Sequence, residues 1–92
     1  MDSQIIFTMA HSTIRIKEKI KAYILQETFA EAEKIHDDSL VFKEGYFDSM
    51  GFVRLVSFLE KEFGCKINDA DLVEENFESI NAITDFVVRK NK

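Results

Sequence analysis

Phe52, Leu55, Val56, Leu59 and Phe63 recur at i, i+3, i+4, i+7 and i+11, the spacing of a helix with one buried face. Each such side chain contributes roughly 1.5–3 kcal/mol when fully buried, so this stripe needs other elements to cover it. Gly64 follows where helices often end in left-handed backbone. The spacing therefore predicts a helix over 49–63. A second helix is expected from Thr13 to about Phe29, with Ile16, Ile20, Tyr23, Ile24 and the stem of Glu27 on one face and Ser12 or Thr13 as N-cap. A third, capped by Ser79, carries Ile80, Ile83, Phe86 and Val87 inward and ends in Val88-Arg89-Lys90, with positive charge at the negative end of its dipole. Asp69–Glu75 can form a short helix capped by Asn68. No segment alternates with the period of a strand, and the chain has no proline. The expected fold is all-α: a small bundle of three main helices plus one short one, with a long first loop.

That loop, Ala30 to Asp48, has apolar residues without helical period. Ile35, Leu40, Phe42, Tyr46 and Phe47 are expected to pin it across the bundle, with Gly45 at a turn. Residues 1–11 show no clear period and are expected to form a flexible tail, leaving 12–92 as a single domain. The pattern begins only after Met9, so Met1 and Met9 both stand as the natural start.

Ninety-two residues allow one modest core and little room for a deep enclosed active site. The net charge of −5 argues against nucleic acid as partner, since phosphate binding needs a basic surface. It suits a protein that meets basic patches on other proteins. Arg15, Lys17, Lys19 and Lys21 crowd one stretch and residues 60–78 are mostly acidic; such runs are usually solvated faces. No apolar run is long enough to span a membrane or serve as a signal peptide, so the cytoplasm is the expected location.

Chemistry of the chain's own is scarce. His11 and His36 lie far apart and lack partners. The single cysteine, Cys65, has no basic cluster beside it and reads as a small structural side chain. There is no zinc-ligand spacing, no calcium loop and no glycine-rich phosphate loop. Catalytic and metal-binding residues are therefore expected to be absent.

Ser49 stands out instead. It lies behind Asp48 at the start of the strongest helix, where N–H groups lack intrahelical partners, the dipole is positive, and a phosphate can be held. Either residue could simply cap the helix. No general base accompanies Ser49, which argues against a serine hydrolase. On the same helix Met50, Val53, Arg54 and Ser57 form an outer stripe, too apolar at Met50 and Val53 to be plain exterior, and read as a partner-contact face.

The order Asp48-Ser49-Met50, then Val53, Leu55, Val56, Leu59-Glu60-Lys61-Glu62-Phe63-Gly64, Ile67 and Asp69, then Asn76-Phe77-Glu78-Ser79-Ile80, resembles the acyl carrier protein family from Ser12 to about Arg89. The resemblance implies that Ser49 is the attachment point for 4′-phosphopantetheine, taken from coenzyme A by a separate Mg²⁺-dependent phosphopantetheinyl transferase, with Asp48 near the loading chemistry. It implies an acyl or aminoacyl cargo held as a thioester on the arm's thiol. The implied partners are an acyl- or aminoacyl-activating ligase and downstream transfer enzymes, and the implied state is a monomer. Carriers of primary fatty acid synthesis usually have acids where this chain has Gly51 and Arg54. The lead-in Gly45-Tyr46-Phe47-Asp48-Ser49 looks closer to stand-alone carriers that serve amino-acid-activating ligases, such as the D-alanyl carrier group. A dedicated carrier in a secondary pathway is therefore expected. The competing reading is a helical adaptor, a degenerate carrier that binds a partner through the same helix without an arm.

Overall fold

A computed structural model describes residues 2–90, with side chains from 13 to 90. Among the described residues there are four α-helices and no strands: α1 (Asp2–Thr28), α2 (Ser49–Phe63), α3 (Glu74–Phe77) and α4 (Ile80–Lys90). One-turn 3₁₀ segments sit at Ala32–Lys34 and Asp69–Asp71.

The first helix corrects the start read from the sequence. Its backbone is helical from Asp2, so Ser12 and Thr13 lie inside it rather than capping it. Residues 2–12 carry no apolar period, but nothing interrupts them either, since the first glycine is Gly45 and there is no proline. The side chain of His11 lies outside the described residues. At the other end Thr28 folds its hydroxyl back to donate to the Ile24 carbonyl at 2.7 Å. Phe29 then turns the chain with φ +56°.

α1 and α2 run antiparallel along a regular seam. Lys19 Nζ meets Glu62 at 3.1 Å, Tyr23 stacks on Phe58 at 4.1 Å, and Glu27 accepts from Arg54 Nε at 3.0 Å. Each step of four residues along α1 is answered by four residues back along α2, one helical turn per rung. Beneath this seam Ile20, Ile24, Leu55 and Leu59 are buried together with Ile80, Ile83, Phe86 and Val87 of α4. Of the stripe expected on α2, Leu55 and Leu59 form the buried centre, while Phe52, Val56 and Phe63 are half-buried.

The loop 29–48 crosses the bundle as expected, though not on every residue named. Ile35 and Phe47 are buried, Leu40, Phe42 and Tyr46 are half-buried, and Val41 is a further fully buried anchor. Backbone hydrogen bonds from Val41 N–H to the Glu78 carbonyl and from Asn81 N–H to the Asp37 carbonyl dock it on the α3–α4 junction. Lys17 and Lys21 hold Asp37 from the α1 side at 3.7 and 3.6 Å. Three of the four early basic residues, Lys17, Lys19 and Lys21, are thus spent on pinning this loop and on the α2 rung. Gly45 has the positive φ that its turn requires.

The short helix expected over 69–75 is replaced by two pieces. A 3₁₀ turn at 69–71 is closed by a capping box between Asn68 and Asp71, and α3 starts only at Glu74. Ser79 caps α4 as expected, its hydroxyl accepting from Ala82 N–H at 3.1 Å. Cys65 is buried, its Sγ donates to the Leu59 carbonyl at 3.4 Å, and burial pushes the thiol's pKa up. That suits the structural role expected of it.

Candidate functional site: the N-terminus of α2

Asp48 and Ser49 are both capping residues, and the structure divides the work between them. Asp48 adopts extended backbone, and its Oδ1 accepts from Gly51 N–H at 2.8 Å. Its carbonyl accepts the first helical bond, from Phe52 N–H, at 2.9 Å. Asp48 is therefore the N-cap. Ser49 is the first helical residue and exposed, and its hydroxyl makes no hydrogen bond to any described residue. The N–H groups of Ser49 and Met50 have no intrahelical partner at this end of the helix.

Gly51 explains itself by packing. It is buried, and a Cβ built on it would come 2.5 Å from Cδ1 of Phe47. The ring of Phe47 lies directly on the backbone of the first turn of α2, which fixes the loop's delivery of Asp48 and Ser49 to the helix tip. An acidic side chain at 51 would have no surface to occupy without displacing that ring.

The outer stripe is where the sequence put it. Met50 and Val53 are 60% and 57% exposed, and Arg54 and Ser57 are exposed too. Arg54 is not an isolated charge, because its Nε is held by Glu27. Between Ser49 and Leu59 it is the helix's sole ionic residue. This face therefore presents apolar and neutral polar groups around a compensated cation.

Two recesses flank the Asp48–Ser49 step. The smaller, about 200 Å³, is polar and bounded by Glu27, Tyr46, Asp48 and Arg54. The larger, about 590 Å³, is an open apolar cleft with Ser49 on its rim. Phe42, Phe47, Phe52 and Phe77 line it, with Val53 from α2 and Leu72, Val73 and Glu74 on the opposite wall. Sequence reasoning missed that opposite wall. Its signal was faint: a Leu-Val pair between two runs of acids, with only Val73 finding a large apolar partner at helical spacing, Phe77.

Among the described residues no group of His, Cys, Asp or Glu side chains is placed to hold a metal ion. No helix among them is long and apolar enough to cross a membrane. His36 is exposed.

A family model described as a phosphopantetheine attachment site matches residues 18–87. The acyl carrier protein of Buchnera aphidicola subsp. Acyrthosiphon pisum is 32% identical over 76 residues, covering 83% of this chain and 92% of that protein. The chain belongs to the acyl carrier protein family. The acyl carrier proteins of Thermosynechococcus vestitus and Thermotoga maritima are 29% and 28% identical over 75 residues, each match covering 82% of this chain and 90% of the relative. The family's prosthetic group is covalently attached 4′-phosphopantetheine, and its members are carriers rather than catalysts. The all-helical bundle of three main helices and a short one is the architecture expected of such a carrier.

Proposed function

We propose that Ser49 is the residue that holds the 4′-phosphopantetheine of this carrier. The observation that carries this is the division of labour at the α2 tip: Asp48 takes the capping bond, so the Ser49 hydroxyl is exposed and uncommitted. The setting fits the group. A phosphodiester on Ser49 Oγ would lie against unpaired N–H groups at the positive end of the helix dipole. The apolar cleft beside it suits an apolar portion of the arm or its cargo. Bound there, the arm supplies a thiol that holds acyl or aminoacyl groups as thioesters. Asp48, beside the hydroxyl, would lie near the Mg²⁺–phosphate chemistry during loading by a transferase that uses coenzyme A.

Met50, Val53, Arg54 and Ser57 form the face that partner enzymes read in this proposal. Those partners are the phosphopantetheinyl transferase, an acyl- or aminoacyl-activating ligase and the transfer enzymes that follow it. Because the face carries no free acid, an enzyme that grips carriers through a basic patch gains little from it. That favours a dedicated secondary pathway. In the same reading the carrier domain comprises residues 12–92, residues 1–11 are a tail, and the protein works as a cytoplasmic monomer.

The test is an intact mass after incubation with coenzyme A and a broad-specificity transferase. Wild type should gain one phosphopantetheine and Ser49→Ala none. No gain on wild type would favour the adaptor that binds through α2 without an arm. Loading the holo form with a general acyl–carrier ligase and with adenylating ligases then separates pathways. Efficient use by ordinary fatty acid synthase enzymes would count against a dedicated one.

A further inference from the structure

The outer wall of the cleft is fastened differently from the rest of the molecule. Ile67 packs against the core and Phe77 is fully buried. Between them, residues 68–76 include none that is buried; Leu72 and Val73 keep 42% and 44% of their surface exposed, and only Asp71 and Asn76 are half-buried. Those two residues are also the ones that reach the bundle. Lys90 Nζ meets Asp71 Oδ2 at 2.7 Å, and Arg89 donates to Asn76 Oδ1 at 3.1 Å. Asn76 Nδ2 also donates to the Asp71 carbonyl at 2.8 Å, and Asn68 N–H to Asp71 Oδ2 at 2.9 Å. The segment is thus knitted internally around Asp71. Among the described residues it is tied outward by polar bonds to the last turn of α4.

We propose that Lys90 and Asp71 form a latch that positions the cleft's outer wall, so that the end of α4 sets how far the cleft beside Ser49 opens. The inference rests on the cleft being the carrier's working site, and it adds the residues that regulate it. A wall held by apolar packing opens only when core is exposed. A wall with no buried apolar anchor of its own, tied by polar bonds at the surface, opens locally, with little effect elsewhere. Leu72, Val73 and Glu74 ride on that wall, and α2 provides the opposite, fixed one.

Hydrogen exchange on the full chain tests this with Lys90→Met, which keeps an apolar stem and removes the charge, and Lys90→Arg, which restores it. In Lys90→Met the amides of 69–76 should exchange about two- to fivefold faster, the range a half-buried ion pair at the surface supports. Amides of α2 and the first turns of α4 should be unchanged, and Lys90→Arg should return to wild type. Nile red, a neutral apolar probe, should bind Lys90→Met more tightly than wild type. Unchanged exchange in 69–76, or equal acceleration in α2, would overturn the latch. None of these readouts involves Ser49. A Ser49 that stays unmodified in the loading experiment would sink the attachment reading and leave the latch result standing.

Discussion

At the scale of single residues, neighbours of the same chemical type have separable jobs. Removing the Asp48 carboxylate orphans the Gly51 N–H, so Asp48→Ala should lower stability by about 1 kcal/mol. Ser49→Ala removes an exposed hydroxyl with no bond to lose, and should stay within about 0.5 kcal/mol of wild type while abolishing mass gain on loading. Denaturant unfolding of both variants, run beside the mass measurement, checks the pair. Equal destabilisation would mean that both side chains cap the helix. Gly51 poses the opposite problem. A helix interior normally favours alanine over glycine by about 1 kcal/mol, yet here the added methyl meets a buried ring at 2.5 Å. Overpacking costs typically 1–3 kcal/mol, so Gly51→Ala should come out neutral to destabilising. A clear gain in stability would show that Phe47 is not seated where it is described.

At the scale of elements, legibility followed periodicity. The bounds of α2 could be read to the residue because a capping pair, an unbroken stripe and a C-terminal glycine agreed with one another. The N-terminal extension of α1 could not, since residues 2–12 offer no apolar period and the attractive caps Ser12 and Thr13 pointed elsewhere. The stretch 69–75 reads in the sequence as one short helix because its order comes from Asp71 bonding in several directions, and such bonds leave no pattern in spacing. Gly51 was legible as a departure from related carriers, but the ring that requires it was not. The Arg54–Glu27 rung is likewise a tertiary fact. Arg54→Glu would set two carboxylates against each other across the seam, and should cost about 0.2–1 kcal/mol for the lost exposed pair. Enzymes that prefer acidic carriers should load this variant better and the native partner worse; an unchanged partner profile would rule out the outer stripe as the docking face. Asp71 adds a pH dependence. The Lys90 ammonium, then the Asn68 N–H, hold its carboxyl below the usual 3.8. A depressed carboxyl favours the folded state above the unfolded value and loses that contribution as pH falls through the folded one. The stability gap between wild type and Asp71→Asn should therefore be full near neutrality and close at pH values below 3.8. A gap that widens on acidification would contradict the pairing.

At the scale of the whole molecule, the core and the site share one aromatic run. Phe42 lies edge-on to Phe52 at 5.6 Å, Phe52 to Phe77 at 5.3 Å, and Phe77 tilts against Phe86 at 5.0 Å. The run joins the long loop, α2, α3 and α4, and its first three rings also line the cleft. Phe77 is at its centre and fully buried. Truncating such a ring costs about 3–5 kcal/mol, against a total of about 5–15 kcal/mol for a natural domain. Phe77→Ala should therefore be close to the limit of folding. Phe77→Leu keeps most of the volume, and volume-conserving swaps usually cost less than about 1.5 kcal/mol. The Ser49 hydroxyl, the proposed attachment point, stands on a helix tip fixed locally by Asp48 and Phe47, and Phe47 meets the run through one tilted contact with Phe42 at 5.5 Å. Phe77→Leu should thus still accept phosphopantetheine in the mass assay, while its cleft binds Nile red with altered affinity. Loss of loading in a variant that remains folded by circular dichroism would mean that the α2 tip depends on the aromatic run, and the separation of scaffold from site argued from the Asp48 cap would fail.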